Sequence, residues 1–281
     1  MADFITTFNY SIFALFTLCF LYQGVYILVA LFVKPKEYVA RTNHRYAALI
    51  SGRNESAVIG NLVRSLKEQD YPSELLDIYV IADNCTDDTA RVAREAGAIV
   101  FERFDQVHKG KSWALDYALK RIFRTQPDDA RYEGYFVFDA DNVVDKDFVR
   151  QMNANFDNGQ RIVTSYRNSK NFDTNWISAG YSLWFLREGK YLSQARATVG
   201  SSCHIGGTGF LISADILERD GGWIHHLLTE DIEFSVDSVI QGETIGYCPK
   251  AMVYDEQPVT FAASWNQRMR WAKGFYQVLW N

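Results

Sequence analysis

The sequence predicts an α/β domain in which helices cover a parallel sheet, with one transmembrane helix in front of it. Short apolar runs alternate with amphipathic stretches from residue 46 onward, which is typical of such a domain. Each run is almost continuously apolar, as strands buried on both faces are. The 281 residues are 48% hydrophobic and 22% charged, a composition that excludes a disordered chain.

Charge and cysteine content argue against further classes. The formal net charge of −5 does not suit broad nucleic-acid binding, so no nucleic-acid partner is expected. The cysteines Cys19, Cys85, Cys203 and Cys248 lie far apart and form no CxxC pair. Neither a disulfide framework nor a structural zinc site is therefore expected. We interpret the cysteines as reduced thiols on the cytosolic side of a membrane.

The N-terminal segment predicts a membrane span. Residues 4–33 contain no Asp, Glu, Lys, Arg or His, and a helix needs roughly 20 apolar residues to cross hydrocarbon. Lys34-Pro35-Lys36 ends the segment, and its basic flank belongs in the cytosol by the positive-inside rule. The segment is too long, and its start too acidic, for a signal peptide. The alternative is a buried core helix.

The soluble part has the pattern of a single domain. Strands are predicted at residues 46–50, 78–82, 98–101, 135–138, 162–165 and 209–212, and helices at 56–69, 87–96 and 112–124. The aromatic-rich stretch 176–198 is interpreted as a helix packed on the sheet, or as a helix beside an acceptor groove where rings stack on sugars. Polar clusters follow the strands, where open α/β sheets bind ligands.

Two of these clusters follow the first two strands. Small, flexible residues in Ser51-Gly52-Arg53-Asn54-Glu55 let backbone amides approach a ligand. Asp83 ends the second strand, where its carboxylate is expected to be free to accept hydrogen bonds from a base or ribose. Thr86-Asp87-Asp88 is interpreted as a helix start, with a capping oxygen and acids in the first turn.

The next two clusters carry opposite charges. His108-Lys109-Gly110-Lys111 precedes a helix and suits an anionic ligand such as a diphosphate, although a solvated basic turn has the same composition. In Asp139-Ala140-Asp141 both carboxylates point to the same side of an extended segment. Such a pair repels unless a cation sits there, and hard oxygen ligands suit Mg²⁺ or Mn²⁺.

Two motifs lie further along the chain. The acids of Thr229-Glu230-Asp231 either take part in chemistry or complement a helix dipole. In Gln267-Arg268-Met269-Arg270-Trp271, positions 267, 270 and 271 share one helical face. Such a face can bind phosphate and stack on a sugar, or it can lie at a membrane interface, and the two interpretations are compatible.

Together, these motifs resemble those of the processive, membrane-bound family 2 glycosyltransferases, which include cellulose, chitin and hyaluronan synthases. The resemblance covers about residues 45–275. Four motifs occur in the family's order: an aspartate after the second strand (Asp83), a DxD (Asp139-Ala140-Asp141), a TED (Thr229-Glu230-Asp231) and a QxxRW (Gln267-Arg268-Met269-Arg270-Trp271). The last two are highly specific for that group.

The resemblance implies a GT-A fold, with a mixed, mostly parallel sheet flanked by helices and one transmembrane helix in front of it. It implies a span at residues 1–34, a cytosolic glycosyltransferase domain at 35–258 and an interfacial helix with QxxRW at 259–281. The family's C-terminal membrane region is expected to be absent from this sequence, which ends ten residues after Trp271. This departure leaves polymer translocation and processivity open.

The resemblance also implies roles for individual residues. The residues expected to bind the donor nucleotide-sugar are Arg53 and Glu55 of the first polar cluster, together with Asp83, Lys111, Asp139, Gln267 and Arg270. Asp141 is the expected main metal ligand, with Asp139 beside it, and Asp231 is the expected general base. The expected acceptor side comprises Gly207, Thr208, Glu230 and Trp271.

The implied activity is an inverting, metal-dependent transfer from a UDP-sugar to the end of a growing β-linked polysaccharide, with Mg²⁺ or Mn²⁺ as cofactor. One alternative is a non-processive transferase with a lipid-linked acceptor. The other is an inactive, transferase-like membrane scaffold. The expected location is the cell membrane, with membrane lipid as a partner. The sequence leaves the sugar, the linkage and any partner subunits open.

Overall fold

A computed structural model describes residues 2–281. Its first element, α1 (Ala2–Phe32), is a 31-residue helix. The stretch Asp3–Phe32 has the length and apolar composition of a membrane span, and none of its most apolar window is buried against the rest of the chain. The alternative of a buried core helix is therefore wrong.

One mixed sheet of eight strands forms the centre of the domain, in the order β3-β2-β1-β4-β7-β6-β8-β5. The strands are β1 (Tyr46–Gly52), β2 (Leu76–Asp83), β3 (Ile99–Arg103), β4 (Gly134–Asp139), β5 (Val143–Val144), β6 (Ile162–Ser169), β7 (Phe210–Ser213) and β8 (Ile245–Asp255). The predicted fold class, a GT-A-like mixed sheet with flanking helices, is confirmed.

The strand pairing corrects the simpler expectation of a parallel sheet. β1 pairs in parallel with β2 and β4, β2 with β3, and β6 with β8. β7 runs antiparallel between β4 and β6, and β5 is antiparallel to β8. An apolar run specifies burial but not direction, so the pattern could not reveal this reversal.

One further strand expectation was wrong, and the strands β5 and β8 were not predicted. β3 was expected to be buried on both faces, but it is the edge strand, and Ile99 is exposed. β8 was not predicted, because Pro249 and Lys250 interrupt its apolar pattern. The sheet accommodates this interruption through a register shift opposite Ser165 and Tyr166 of β6.

Helices cover both faces of the sheet. They are α2 (Ile59–Lys67), α3 (Thr89–Glu95), α4 (Lys111–Thr125), α5 (Phe148–Asp157), α6 (Trp176–Leu186), α7 (Gln194–Thr198), α8 (Ala214–Arg219), α9 (Glu230–Ile240) and α10 (Phe261–Trp280). One core packs α2, α3 and α5 against the sheet, and the other packs α4, α8 and α9 against the opposite face. The apolar residues alternate between the two cores along each strand, as side chains on a pleated strand do.

The aromatic-rich stretch forms α6, a π-helical segment (Arg187–Ser193) and α7. The expectation of a helix packed on the sheet is confirmed, because α6 packs on β6 and buries Tyr181 and Phe185. The same stretch also holds α1. The guanidinium of Arg187 donates to Oε1 of Gln23 at 2.5 Å, and Arg196 lies 5.9 Å from the ring centre of Tyr26.

Candidate active site

A large cleft of about 1290 Å³ opens at the carboxyl ends of β1, β2 and β4. Ligands bind at this edge in open α/β sheets. Its lining includes all but one of the site residues expected from the sequence: Arg53, Glu55, Asp83, Lys111, Asp139, Asp141, Gly207, Glu230, Asp231, Gln267, Arg270 and Trp271. Residues far apart in the sequence therefore meet in one cavity.

The loops after β1 and β2 form the first wall of this cleft. Asn54 and Asn84 both have positive φ angles, of 59° and 54°, and asparagine tolerates this conformation. Oδ1 of Asn54 accepts the Thr86 N–H at 2.8 Å, so the two loops are tied together. Arg53 is exposed on this wall, and burial raises the pKa of Glu55 beside it.

The helix after β2 begins later than expected. α3 starts at Thr89, and its N-cap residue Asp88 makes no capping hydrogen bond through its side chain. Asp87 instead accepts the Thr89 N–H at 3.0 Å, which is a local turn contact. The interpretation of Thr86 as the capping residue is therefore wrong, because α3 begins three residues later and the Thr86 hydroxyl donates to Oδ1 of Asn54 at 3.3 Å.

Asp83 is less free than the sequence suggested. Its side chain is 5% exposed, and Oδ1 accepts from Nη1 of Arg103 at 2.6 Å in a buried ion pair. Its other oxygen faces the Gly110 N–H at 3.3 Å, in front of α4. The Asp83 carboxylate therefore connects the end of β2 to β3 and to the start of α4, and it still lines the cleft.

Lys111 occupies the centre of the cleft. Its ammonium donates to Oδ1 of Asp139 at 2.5 Å and to the carbonyl of Gly207. Burial alone would lower the pKa of this lysine, but the nearby carboxylates of Asp139 and Glu230 hold it above its ordinary value. Lys111 is therefore a fixed positive charge next to the DxD motif.

Asp141 lines the cleft close to two other carboxylates. Burial, with repulsion from Asp255 and Asp139, raises the pKa of Asp141 to about 7. No group of three or more His, Cys, Asp or Glu side chains among residues 2–281 is arranged to hold a metal ion. Mg²⁺ is commonly bound by one or two carboxylates together with substrate phosphates, so the donor set at Asp139 and Asp141 fits such an ion.

A buried ion pair that no sequence motif indicates lies under the DxD motif. Nε of Arg167 donates to Oδ2 of Asp255 at 2.9 Å, and Nη1 donates to the carbonyl of Gly206 at 3.0 Å. Asn142 also donates to Asp255, at 3.2 Å. Arg167 and Asp255 lie in the outer half of β6 and at the end of β8, beyond the apolar runs that mark strands.

The TED motif stands at the start of α9. Burial holds the pKa values of both Glu230 and Asp231 above those of ordinary carboxyl groups. Gly207 lies so close to the carboxylate of Asp231 that a Cβ at position 207 would lie 3.1 Å from Oδ2 of Asp231. A carboxylate with a raised pKa in a cleft is suited to accept a proton near neutral pH.

The QxxRW motif lies on α10, across the cleft from the strand ends. Gln267, Arg270 and Trp271 all face the cavity, and Trp271 meets Tyr181 of α6 edge-on at 6.2 Å between ring centres. α10 crosses the start of α9 at Gly274, where a Cβ would lie 2.4 Å from Cγ2 of Thr229. This close approach fixes the TED and QxxRW motifs relative to one another.

Thr208 is the one expected site residue that does not line the cleft. It is buried, and its hydroxyl accepts the Asp139 N–H at 3.0 Å and donates to Oδ1 of Asn142. Its side chain thus supports the end of β4 from below. Its position does not support the acceptor-binding role expected for it.

A polar cluster on the far wall is also absent from the sequence motifs. Nε2 of His204 lies 3.2 Å from Oε1 of Glu188, whose other oxygen accepts the Trp184 indole N–H at 3.0 Å. Nδ1 of His204 faces the guanidinium of Arg196 at 3.5 Å. Because arginine can only donate, a hydrogen bond here requires the tautomer in which Nδ1 of His204 accepts and Nε2 carries the proton. Isolated residues at these spacings carry no recognisable signal in the sequence.

The fold and site define a class of protein, and comparison with known proteins gives its family. Residues 44–274 match the model described as glycosyltransferase like family 2, so the chain belongs to that family. It therefore carries a family 2 glycosyltransferase domain. The match does not separate the processive synthases from other members.

The curated relatives include a glycolipid synthase and a polysaccharide synthase. The beta-monoglucosyldiacylglycerol synthase of Nostoc sp. is 29% identical over 269 residues, which are 90% of this chain and 54% of that protein. The poly-beta-1,6-N-acetyl-D-glucosamine synthase of Staphylococcus epidermidis is 25% identical over 275 residues, 92% of this chain and 64% of that protein. The chain spans about half the length of the first of these relatives.

Solved structures agree on the fold. A mannosyltransferase from Pyrobaculum calidifontis in complex with GDP-Man and Mn²⁺ has a TM-score of 0.71 at 19% identity, covering 95% of this chain and 73% of that one. TarS of S. aureus in complex with UDP-GlcNAc has a TM-score of 0.57 at 15% identity, covering 78% and 60%. At such identities, the likeness shows the fold alone.

Proposed function

We propose that this chain transfers a sugar, with inversion, from a UDP-sugar to a hydroxyl group of an acceptor at the membrane. The observation that carries the proposal is the meeting of Asp141, Lys111, Asp231 and Arg270 in one cleft. An inverting displacement needs a base for the acceptor and positive charge for the leaving diphosphate, and these residues supply both.

Asp231 is the proposed general base. The raised pKa of Asp231 and its position in the cleft, in the first turn of α9, support proton transfer from an acceptor hydroxyl. The oxygen of that hydroxyl forms a bond to the anomeric carbon while the bond to UDP breaks. Glu230 and Trp271 line the same part of the cleft and are proposed to position the acceptor.

The nucleotide end is proposed to lie against the strand ends. Asp83 would meet the uridine, with Arg53 and Glu55 on the adjoining loop, while Gln267 and Arg270 would face the diphosphate. Asp141, with Asp139 beside it, would hold Mg²⁺ or Mn²⁺. When bound, such an ion neutralises charge on the leaving diphosphate. Lys111 supplies a further positive charge there.

Two acceptor classes have support. The QxxRW motif and the polysaccharide synthase among the relatives favour the end of a β-linked polysaccharide. The diacylglycerol glycosyltransferases among the relatives favour a lipid. In both cases we propose that α1 spans the membrane, that residues 35–258 form the cytosolic catalytic domain and that α10 lies at the interface. The exposed Phe261 and Trp280 support this position for α10.

The substitution Asp231→Asn tests this proposal. Loss of a general base lowers the rate by about 100-fold to 10,000-fold, so sugar transfer should fall by that amount. UDP binding, measured by calorimetry on the same protein, should remain within about threefold of wild type, because the base does not hold the nucleotide. Loss of UDP binding in a folded variant, or retention of transfer, would contradict the role of Asp231.

A further inference from the structure

The cleft is larger than a nucleotide-sugar site requires, and its two ends differ in chemistry. Its volume of about 1290 Å³ exceeds the roughly 300–1,000 Å³ of typical small-molecule pockets. The end at the strands is polar and charged. The other end, here called the outer groove, is lined by Ile232, Val236, Val239 and Ile240 of α9, Trp184 of α6 and Phe275 of α10.

The outer groove begins at the proposed base. The four apolar residues of α9 are spaced at i, i+4, i+7 and i+8, so they share one face of the helix whose first turn contains Asp231. The helix rises roughly 13 Å between Asp231 and Ile240. Val239 is 47% exposed and Ile240 is 77% exposed, so this apolar face is open rather than packed in the core.

The far wall of the outer groove is the segment that holds α1. Trp184 lines the groove, and the guanidinium of Arg187 lies 5.6 Å from the centre of its ring. The same guanidinium donates to Gln23 of α1 at 2.5 Å. The groove therefore leads from the apolar face of α9, past the polar cluster of Glu188, Arg196 and His204, towards the helix that has the length and composition of a membrane span.

We infer that the outer groove holds the hydrocarbon chain of a membrane lipid whose free hydroxyl is the acceptor. The inference rests on the proposed function and selects the lipid among its two acceptor classes. The hydroxyl oxygen bonds to the anomeric carbon, its proton passes to Asp231, and UDP leaves with the electron pair of the broken bond. Against the apolar face of α9, a polysaccharide would leave its hydroxyls unpaired, whereas a hydrocarbon chain would not.

An acceptor competition with matched variants tests the inference. Wild-type protein in detergent would be given dioctanoylglycerol or a soluble β-linked glucose oligosaccharide, with the UDP-sugar that it consumes. The variant Val239→Thr/Ile240→Thr removes apolar surface from the outer groove while keeping both side chains branched at Cβ. The control Ile99→Thr makes the same change at an exposed position on β3, outside the cleft.

The expected result is that wild type prefers dioctanoylglycerol and that the double variant raises its KM about tenfold with kcat nearly unchanged. Hydrolysis of the UDP-sugar without acceptor should not change, and Ile99→Thr should behave as wild type. Preference for the oligosaccharide, or an equal effect of the double variant on both acceptors, would overturn the inference and leave the proposed function standing. No consumption of any UDP-sugar would overturn the proposed function itself.

Discussion

The substitution Arg167→Met removes one partner of the buried ion pair beneath the DxD motif. Arg167 and Asp255 are 21% and 5% exposed, so solvent screens their interaction little. Breaking a buried pair from one side costs about 3–5 kcal/mol, because an uncompensated charge remains. Asn142 and Gln257 still donate to Asp255, at 3.2 and 3.0 Å, so we expect the lower value of about 3 kcal/mol.

Thermal unfolding in detergent, followed by tryptophan fluorescence, measures this cost. For a chain of this size, 1 kcal/mol corresponds to about 2–4 °C in Tm, so Arg167→Met should lower Tm by about 6–12 °C. The double variant Arg167→Met/Asp255→Asn should be more stable than Arg167→Met alone, because the orphaned charge is gone while an acceptor for the amides remains.

The matched control is Arg91→Met on α3. Like Arg167, Arg91 is ion-paired, in this case with both Asp88 and Glu95, but all three of these side chains are more than half exposed. Exposed pairs contribute little, so Tm should change hardly at all. A Tm for Arg167→Met within about 2 °C of wild type, or strictly additive effects in the double variant, would refute the role assigned to this pair.

Three further predictions concern the cleft. Mn²⁺ with UDP should raise the Tm of wild type, and Asp141→Asn should abolish the part of this rise in Tm that Mn²⁺ adds to UDP alone. An Mn²⁺-dependent rise in Tm that is unchanged in Asp141→Asn would exclude Asp141 as a ligand. Gly274→Ala should lower kcat at least tenfold, because the added Cβ would push α10 away from Thr229. The control Gly180→Ala, whose Cβ meets open space, should leave kcat unchanged. Equal kcat in the two variants would show that the close contact between α10 and Thr229 is not needed for activity. Transfer should fall as pH decreases through the raised pKa of Asp231, because the protonated acid is no base, and a rate that is flat down to pH 4 would contradict it.

The raised pKa of Asp231 also has a consequence for stability. A carboxyl group whose pKa is higher in the folded state binds protons more tightly there than in the unfolded state. Its contribution is therefore favourable below the unfolded pKa and is lost as pH rises through the folded pKa. At neutral pH the buried charge of Asp231 lowers the free energy of unfolding, and Asp231→Asn removes that charge. That variant should therefore unfold at a higher temperature than wild type while losing transfer.

Order and spacing of motifs predicted which residues line one cleft better than they predicted the sheet. Lys111, Asp141 and Asp231 stand at element ends, where topology brings them together, so short local signals were sufficient. The direction of β7 and the existence of β8 depend on pairing between distant segments, which an apolar run does not encode. Pro249 masked β8 for the same reason, since local propensity and the sheet as a whole conflict there.

Polar residues were predicted less well where their role depends on a partner. Asp83 reads as a free carboxylate in the sequence, yet it is bound by Arg103 on the neighbouring strand. Thr208 reads as part of a glycine-rich loop, yet its hydroxyl is buried under Asp139. His204 gave no signal at all, because its partners come from the π-helical segment and α7. Burial and pairing are tertiary properties that local sequence does not contain.

The measurement that tests the central claim most directly is UDP release by membranes that contain the protein. A panel of UDP-sugars would be supplied with Mg²⁺ or Mn²⁺, and membranes with Asp231→Asn would serve as the control. We expect release from one donor, dependent on the cation and lost in the control. Release that persists in Asp231→Asn, or absence of release with every donor while UDP still binds, would contradict the central claim.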